Sequence, residues 1–425
     1  MLIHSASQLL TLTEHPQRGS KLGDLGIIND GAILIRDEKI AETGSSRELL
    51  NKYPDETTLD AEGCVVMPGF VDPHTHVIWS GDRAAEFEMR QQGKHYLDIL
   101  AAGGGIISTV RATRKASIES LMSQTRTRLL RMFSNGTTTV EAKTGYGLKT
   151  ATELRLIKAL LALDEEGPVE LAITFLGAHA IPPEYMHDSQ EYTDLITELM
   201  LPILQKWWQT HAAKRTDKPF VDVFCENNAF TLAQSRQILE QAICLGFPIK
   251  IHADEFKNLG GASLAVELGA ASADHLVKTS NKDITALGNS ETVAVSLPCT
   301  PFGLAEKEYT PTRKLLEEDA ILALATDCNP GTAWNESMQF VIALACRNLE
   351  LSPSEAIAAS TINAAHAIRR ADTIGSVTPG KQADLLILSV QDYRHLGYRF
   401  GTNLVKQVIK HGQVYSVNVG YYRTA

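Results

Sequence analysis

No apolar run in this 425-residue chain approaches the roughly 18 residues that a membrane-crossing helix needs, so a spanning helix is excluded. Cysteine is sparse. The six residues Cys64, Cys225, Cys244, Cys299, Cys328 and Cys346 are scattered and form no CxxC pair, which excludes a disulfide scaffold and implies reduced thiols. A basic excess is also missing. Forty Lys and Arg against fifty Asp and Glu give a net charge of −10, so nucleic acid is not expected as a partner. That balance leaves an anionic small molecule open, because one Arg or His can reverse the sign inside a pocket. The opening stretch MLIHSASQLLTLTEHPQRGS has neither a basic n-region nor a cleavage site, and the expected location is cytoplasmic. Repeats and low-complexity segments are absent. The run Gly103-Gly104-Gly105 is followed by no Lys-Ser/Thr and preceded by no strand, so it is not a phosphate loop. It reads instead as a flexible part of a loop, a candidate lid.

Both ends of the chain read as β. Gly31 to Ala41 gives two short strands about Asp37-Glu38, and Gly63 to Met67 is another apolar run. Near the other terminus, Ala383 to Val390 is a buried strand, and Leu404–Lys410 and Gln413–Val417 flank the turn residues His411-Gly412. The expectation is one β-sandwich domain from residues 1–66 and 374–425. The middle, 67–373, alternates. Eight short apolar runs (Val65–Val77, Thr137–Lys143, Val169–Ala178, Phe220–Cys225, Pro248–His252, Ser272–Leu276, Thr292–Leu297 and Ile321–Thr326) are separated by amphipathic stretches such as Ile118–Phe133, Thr150–Leu163, Thr231–Leu245 and Trp334–Asn348. Eight strand–helix alternations predict an α/β fold, a (β/α)₈ TIM-like barrel. A late helix, Pro353–Arg369, opens with a capping box from Ser352 to Glu355.

Such barrels build their sites from the carboxyl ends of the strands. Chemically capable residues sit there in succession: Asp72, His74 and His76, then Glu141, Lys143 and Tyr146, then His179, Glu226, His252 to Glu255, Asp274 and His275, Cys299 and Thr300, and Asp327. His74 and His76 lie two apart on a strand, so they share a face about 6.6 Å apart. Alone, HxH carries little. With His252 and Asp327 at later strand ends it makes three nitrogens and a carboxylate, a set suited to Zn²⁺ or a first-row transition metal with one position left for water. The fourth strand, FVDVFCEN, has no lysine to bridge two metals, which favours one ion per chain. Glu226 reads either as a bridging ligand or as a hydrogen-bonded structural carboxylate. Trp207-Trp208 reads as packing, and His4, His15, His187, His211 and His395 as solvent-facing.

The motifs PGFVDPHTH (68–76), the lone His252, His275, Asp327 and the return segment GSVTPGKQADLLIL (375–388) resemble the amidohydrolase superfamily. The further segments HVIWSGDR (76–83), EAKTGYGL (141–148), FLGAHAIP (175–182), IHADEF (251–256) and TDCNPGTA (326–333) are together similar to the imidazolonepropionase family. That resemblance implies one zinc or iron ion on His74, His76, His252 and Asp327. It implies substrate contacts from Arg83, Tyr146, His179, Glu255, Asn329, Gly331 and Thr332, and metal-assisted opening of an imidazolone ring bearing a propanoate arm. Glu255, His275 and Asp327 are the catalytic candidates, and which of them is the general base is open at this stage. A homodimer is expected, with a small-molecule substrate and neither nucleic acid nor membrane as partner. The alternatives are a mononuclear-metal deaminase of a cytosine- or guanine-like ring, or an inactive barrel acting as a binding protein. Arg83 separates the first of these, since a neutral base offers it no carboxylate.

Overall fold

The computed structural model describes residues 1–94, 104–213 and 215–417. Its strands are β1 (Leu2–Leu10), β2 (Ile27–Arg36), β3 (Lys39–Ser45), β4 (Thr58–Asp60), β5 (Val65–Pro68), β6 (Phe70–Thr75), β7 (Thr137–Lys143), β8 (Glu170–Ala178), β9 (Phe220–Cys225), β10 (Lys250–Ala253), β11 (Ser272–His275), β12 (Val293–Ser296), β13 (Leu322–Leu324), β14 (Leu385–Leu388), β15 (Val405–Lys410) and β16 (Gln413–Ser416). Strands β6 to β13 pair in chain order, all parallel, with helices between them. The ring closes where the chain beyond β13 meets β6: Asp327 N–H donates to His74 O at 3.1 Å and His76 N–H to Cys328 O at 3.0 Å. This is the expected (β/α)₈ architecture.

The outer helices form where the sequence supplies both a cap and an apolar stripe. Ser117 accepts from Ser120 N–H to start Ile118–Ser134, whose Leu121, Leu129, Met132 and Phe133 face inward. Thr231 and Gln234 form a capping box for Leu232–Cys244. Each fully buried Leu or Phe of this kind contributes about 1.5–3 kcal/mol.

The second sheet is built from both termini, in the order β16-β15-β14-β5-β1-β2-β3, with β4 on β1. Its pairs are antiparallel except β1 with β4 and β5. Ile40 from one end of this sheet and Ile409 from the other share a core cluster with Ile3, Val66 and Ile387, so the sheet curls over an interior of its own. Its other face, through Met67, Leu386 and Val408, joins the core of the barrel. Two of its hairpins turn through residues at positive φ, Asp37-Glu38 and His411-Gly412, where the mirror-image turn follows the strand twist.

Three local expectations need correction. The run Val65–Val77 is two strands in two different sheets, divided at Gly69, where a Cβ would lie 2.4 Å from Thr138 Oγ1. The late helix is interrupted. It runs over Pro353–Ala359 and resumes over Ile362–Ala367, because Thr361 leaves the helical region with ψ −93°. His4 and His395 are half-buried rather than solvent-facing, whereas His15, His187 and His211 are exposed. Of the glycine run, Gly103 lies outside the described residues. Gly105 precedes the helix Ile106–Lys115, with its N–H on Glu86 at 3.0 Å.

Candidate active site

The carboxyl ends of β6, β10, β11 and the segment after β13 converge. His76 Nε2 lies 3.3 Å from His74 Nε2 and 3.3 Å from His252 Nε2. Asp327 Oδ1 is 3.5 Å from His76 Nε2 and 3.6 Å from His74 Nε2. Two overlapping groups could each hold an ion: His74, His76 and Asp327, and His74, His252 and His275. The chain turns sharply here, with Asp254, His275, Leu276 and Asp327 all at positive φ, backbone strain of the kind that gathers at functional sites.

The donor chemistry fits a metal ion. His74 Nδ1 sits 2.6 Å from Asp274 Oδ2, so its proton belongs there and Nε2 presents a lone pair. A proton on His76 Nε2 can serve only one of its two imidazole neighbours, which leaves the other pair of lone pairs opposed. A cation removes that conflict. Bonds near 2.0–2.1 Å in tetrahedral array place donor atoms about 3.4 Å apart, close to what the rings adopt. Burial, with the Lys143 ammonium and the other imidazoles behind it, holds His74 well below its usual range. Burial likewise lowers His76 and His275 and takes His179 down to about 3, so these rings are neutral at pH 7. The same desolvation raises Asp327 to about 6, and Glu255 well above the usual carboxylate range with Asp327 and Glu226 adding to the push.

Beside these rings is a cavity of about 130 Å³. It is bordered by Arg83, Tyr146, His179, Glu255, Asn329 and Thr332, with Ile106, Phe224 and Phe256, which the sequence reading passed over. Glu255 Oε2 is 3.6 Å from His275 Nε2. Gly331 borders an adjoining groove of about 320 Å³ instead. Arg83 reaches both spaces, with Nε and Nη2 each 2.8 Å from Glu86 Oε2. Asn329 is engaged with its own loop. Its Oδ1 accepts from Gly331 N–H at 2.8 Å and Thr332 N–H at 2.9 Å, and its Nδ2 donates to Asp327 O at 2.7 Å. Glu226 accepts three backbone N–H groups, from Asn227, Phe256 and Lys257, so its structural role is filled. The largest cavity described, about 850 Å³, lies elsewhere, where Arg215 and Arg370 are already paired with Asp164 and Asp217.

Beneath the histidines the barrel interior is charged. Glu141, Lys143, Asp222, Lys250 and Asp274 are fully buried. Asp222 Oδ2 stands 3.0 Å from His252 Nδ1. Asp222 and Lys250 were not recognised as site residues from sequence. A signal existed: Lys250 precedes His252 by two on a short buried strand, and Glu141 precedes Lys143 by two, so each pair shares the inward face.

A parallel barrel with imidazoles and a carboxylate gathered at its strand ends defines a class of hydrolase, and the comparisons agree. The amidohydrolase family model matches residues 65–415, and the chain belongs to that family. Solved structures with the same fold include guanine deaminase of E. coli (TM-score 0.72, 16% identity, covering 100% of this chain and 99% of that one) and 5-methylcytosine deaminase from Klebsiella pneumoniae (TM-score 0.71, 18%, covering 100% and 99%). In sequence the chain groups with the imidazolonepropionases. It is 50% identical to the imidazolonepropionase of Herpetosiphon aurantiacus over 97% of this chain and 96% of that protein, and 46% identical to that of Chloroflexus aggregans over 98% and 99%.

Proposed function

We propose that the chain hydrolyses the ring amide of 4-imidazolone-5-propanoate to N-formimidoyl-L-glutamate, a step of histidine degradation. The observation that carries this is the meeting of three imidazole nitrogens and the Asp327 carboxylate beside a cavity that also holds Arg83. Imidazolonepropionase relatives matched over nearly the whole chain support it. Likeness to deaminases at 16–18% identity speaks for the fold alone.

His74, His76, His252 and Asp327 would hold one zinc or iron ion per chain. When bound, the ion acts as a Lewis acid for the ring carbonyl and makes water a stronger acid near neutral pH. Asp327, a carboxylate at the histidine cluster, is suited to take the proton of the attacking water. Water adds at the ring carbonyl carbon, the amide C–N bond breaks, and the departing nitrogen needs a proton. Glu255, kept protonated by burial, supplies it. His275, whose Nε2 lies 3.6 Å from that carboxyl, orients the water or polarises the ring carbonyl. Arg83, with Tyr146 and His179, grips the propanoate, while Asn329, Gly331 and Thr332 shape the strand-8 loop against the rest of the substrate.

We further assign residues 1–68 with 374–417 to one β-domain and 69–373 to the barrel, the first boundary falling at Gly69, two residues beyond the expected one, and propose a cytoplasmic homodimer. Incubating purified protein with imidazolone propanoate and following the ring absorbance tests the activity. Elemental analysis should find one metal per chain, and His252→Ala should lose both metal and turnover. Two tightly bound ions, or no loss of absorbance in metal-replete protein, would reject the reading.

A further inference from the structure

Lys143 ends β7, and its Nζ is wholly inside the barrel. It donates to Glu141 Oε1 and to Asp222 Oδ2, each at 2.7 Å, and faces Asp274 Oδ2 at 3.7 Å. Asp222 contacts His252 Nδ1, and Asp274 Oδ2 contacts His74 Nδ1. The ammonium therefore bonds the carboxylate that stands behind His252 on β10 and lies only within ion-pair range of the one behind His74 on β6.

We infer that Lys143 is a positioning residue, whose ammonium, anchored on Glu141, fixes Asp222 so that His252 turns its Nε2 atom to the point that His74 and His76 share. This rests on the reading of those histidines as metal ligands. The neighbouring Lys250 gives the contrast. Its Nζ is equally buried, but its hydrogen bond goes to the backbone carbonyl of Pro73 at 2.7 Å, and the carboxylates of Asp274 and Glu141 lie at 3.6 Å and 3.9 Å. Lys250 compensates charge at a distance, whereas Lys143 bonds the carboxylate that faces a ligand. Glu141 is itself fixed by Thr75 N–H at 3.2 Å and by Thr174, so the ammonium has a rigid anchor. Without Lys143, the Asp222 carboxylate loses its clamp, and the His252 ring loses its fixed partner. Groups that orient ligands in this way change metal affinity by about 10–100-fold when removed.

The test is zinc affinity of chelator-stripped protein, measured by competition with a chromophoric chelator, beside the thermal midpoint of the metal-free form. Lys143→Met should weaken zinc binding by roughly 10–100-fold. Lys250→Met, which removes the same charge, should change it by less than about threefold. Lys143→Met combined with Asp222→Asn should be no weaker than the worse single change by more than about threefold, because both act through one contact. Unchanged zinc affinity in Lys143→Met with a lowered thermal midpoint would overturn the inference and leave Lys143 a buried counter-ion. Equal weakening in the two lysine variants would overturn it as well, since charge alone would then suffice. Should Lys143→Met fail to fold, the isosteric Asp222→Asn decides: weaker zinc binding supports the inference, and wild-type affinity overturns it. The metal reading fails differently, through stripped wild-type protein that takes up no zinc or His252→Ala that binds it as well as wild type.

Discussion

Arg83 offers the sharpest test of substrate choice. Its guanidinium is already held on one edge, where Nε and Nη2 both meet Glu86 Oε2 at 2.8 Å. Glu86 is in turn anchored by Gly105 N–H at 3.0 Å and Ser108 Oγ at 3.2 Å, so it will not release the arginine readily. The remaining edge, Nη1, is packed toward Gly331 between the two pockets. A propanoate carboxylate can still take the end-on edge, Nη1–H with the second N–H of Nη2, as a parallel pair. Removing one partner of a buried charge pair costs about 2–5 kcal/mol. With the Arg83 side chain 16% exposed and its charge already paired with Glu86, the loss belongs at the low end, about 2–3 kcal/mol, or roughly 30–150-fold in kcat/KM. Arg83→Ala should show that loss in the ring-absorbance assay with its metal content intact. An imidazolone analogue without the carboxylate should be turned over equally by both proteins. Equal losses on the two substrates would refute the reasoning and leave Arg83 as a brace for the loop.

Glu255→Gln should retain its metal yet lose roughly 10²–10⁴ in kcat, the contribution of a positioned acid, and unchanged turnover would make Glu255 structural. Gly331→Ala should raise KM at least about tenfold, because its Cβ would fall 2.2 Å from Arg83 Nη1, and a wild-type KM would show that the guanidinium moves freely. The metal-free protein should lose stability on the acid side. His179 is held neutral down to about 3, so its contribution is complete above the unfolded value near 6.5 and is lost as pH falls toward 3. Asp327, raised to about 6, works in the opposite sense, adding stability at low pH that disappears as pH rises through that value. Denaturant midpoints from pH 5 to 8 should accordingly fall below 6.5, and His179→Gln should make that limb shallower, the remainder coming from His74, His76 and His275, which burial lowers in the same sense.

The barrel strands were legible because parallel strands buried on both faces read as short apolar runs; every residue of β12 is buried, Val293 through Ser296. The hairpins at 36–39 and 410–413 were legible from their turns. Strand β1 was not singled out, because His4, Ser5, Ser7 and Gln8 interrupt it with polar side chains that face partners only the tertiary fold supplies, such as the Gln391 carbonyl accepting from Ser7. Pro68 and Gly69 hid a change of sheet, since an apolar run carries no mark of which neighbours it pairs with. The predicted histidines and Asp327 do gather, as spacing along a strand and repetition at strand ends suggested. What spacing could not convey is that Lys143 and Asp222, far apart in the chain, share one hydrogen bond inside the barrel.

The terminal sheet has a consequence for synthesis. Strand β5 lies between β1 and β14, pairing Met67 with Leu386. A growing chain must therefore make the whole barrel, more than 300 residues from Pro68 to Leu385, before β5 finds its second neighbour. At roughly 5–20 residues per second, that edge stays open for about 15–60 s. Val65, Val66 and Met67, fully buried at the end, are meanwhile an uncovered apolar ladder of the kind that recruits other chains. The nascent protein is most vulnerable to aggregation just before its last forty residues emerge, and a chain cut ahead of β14 would keep that vulnerability permanently.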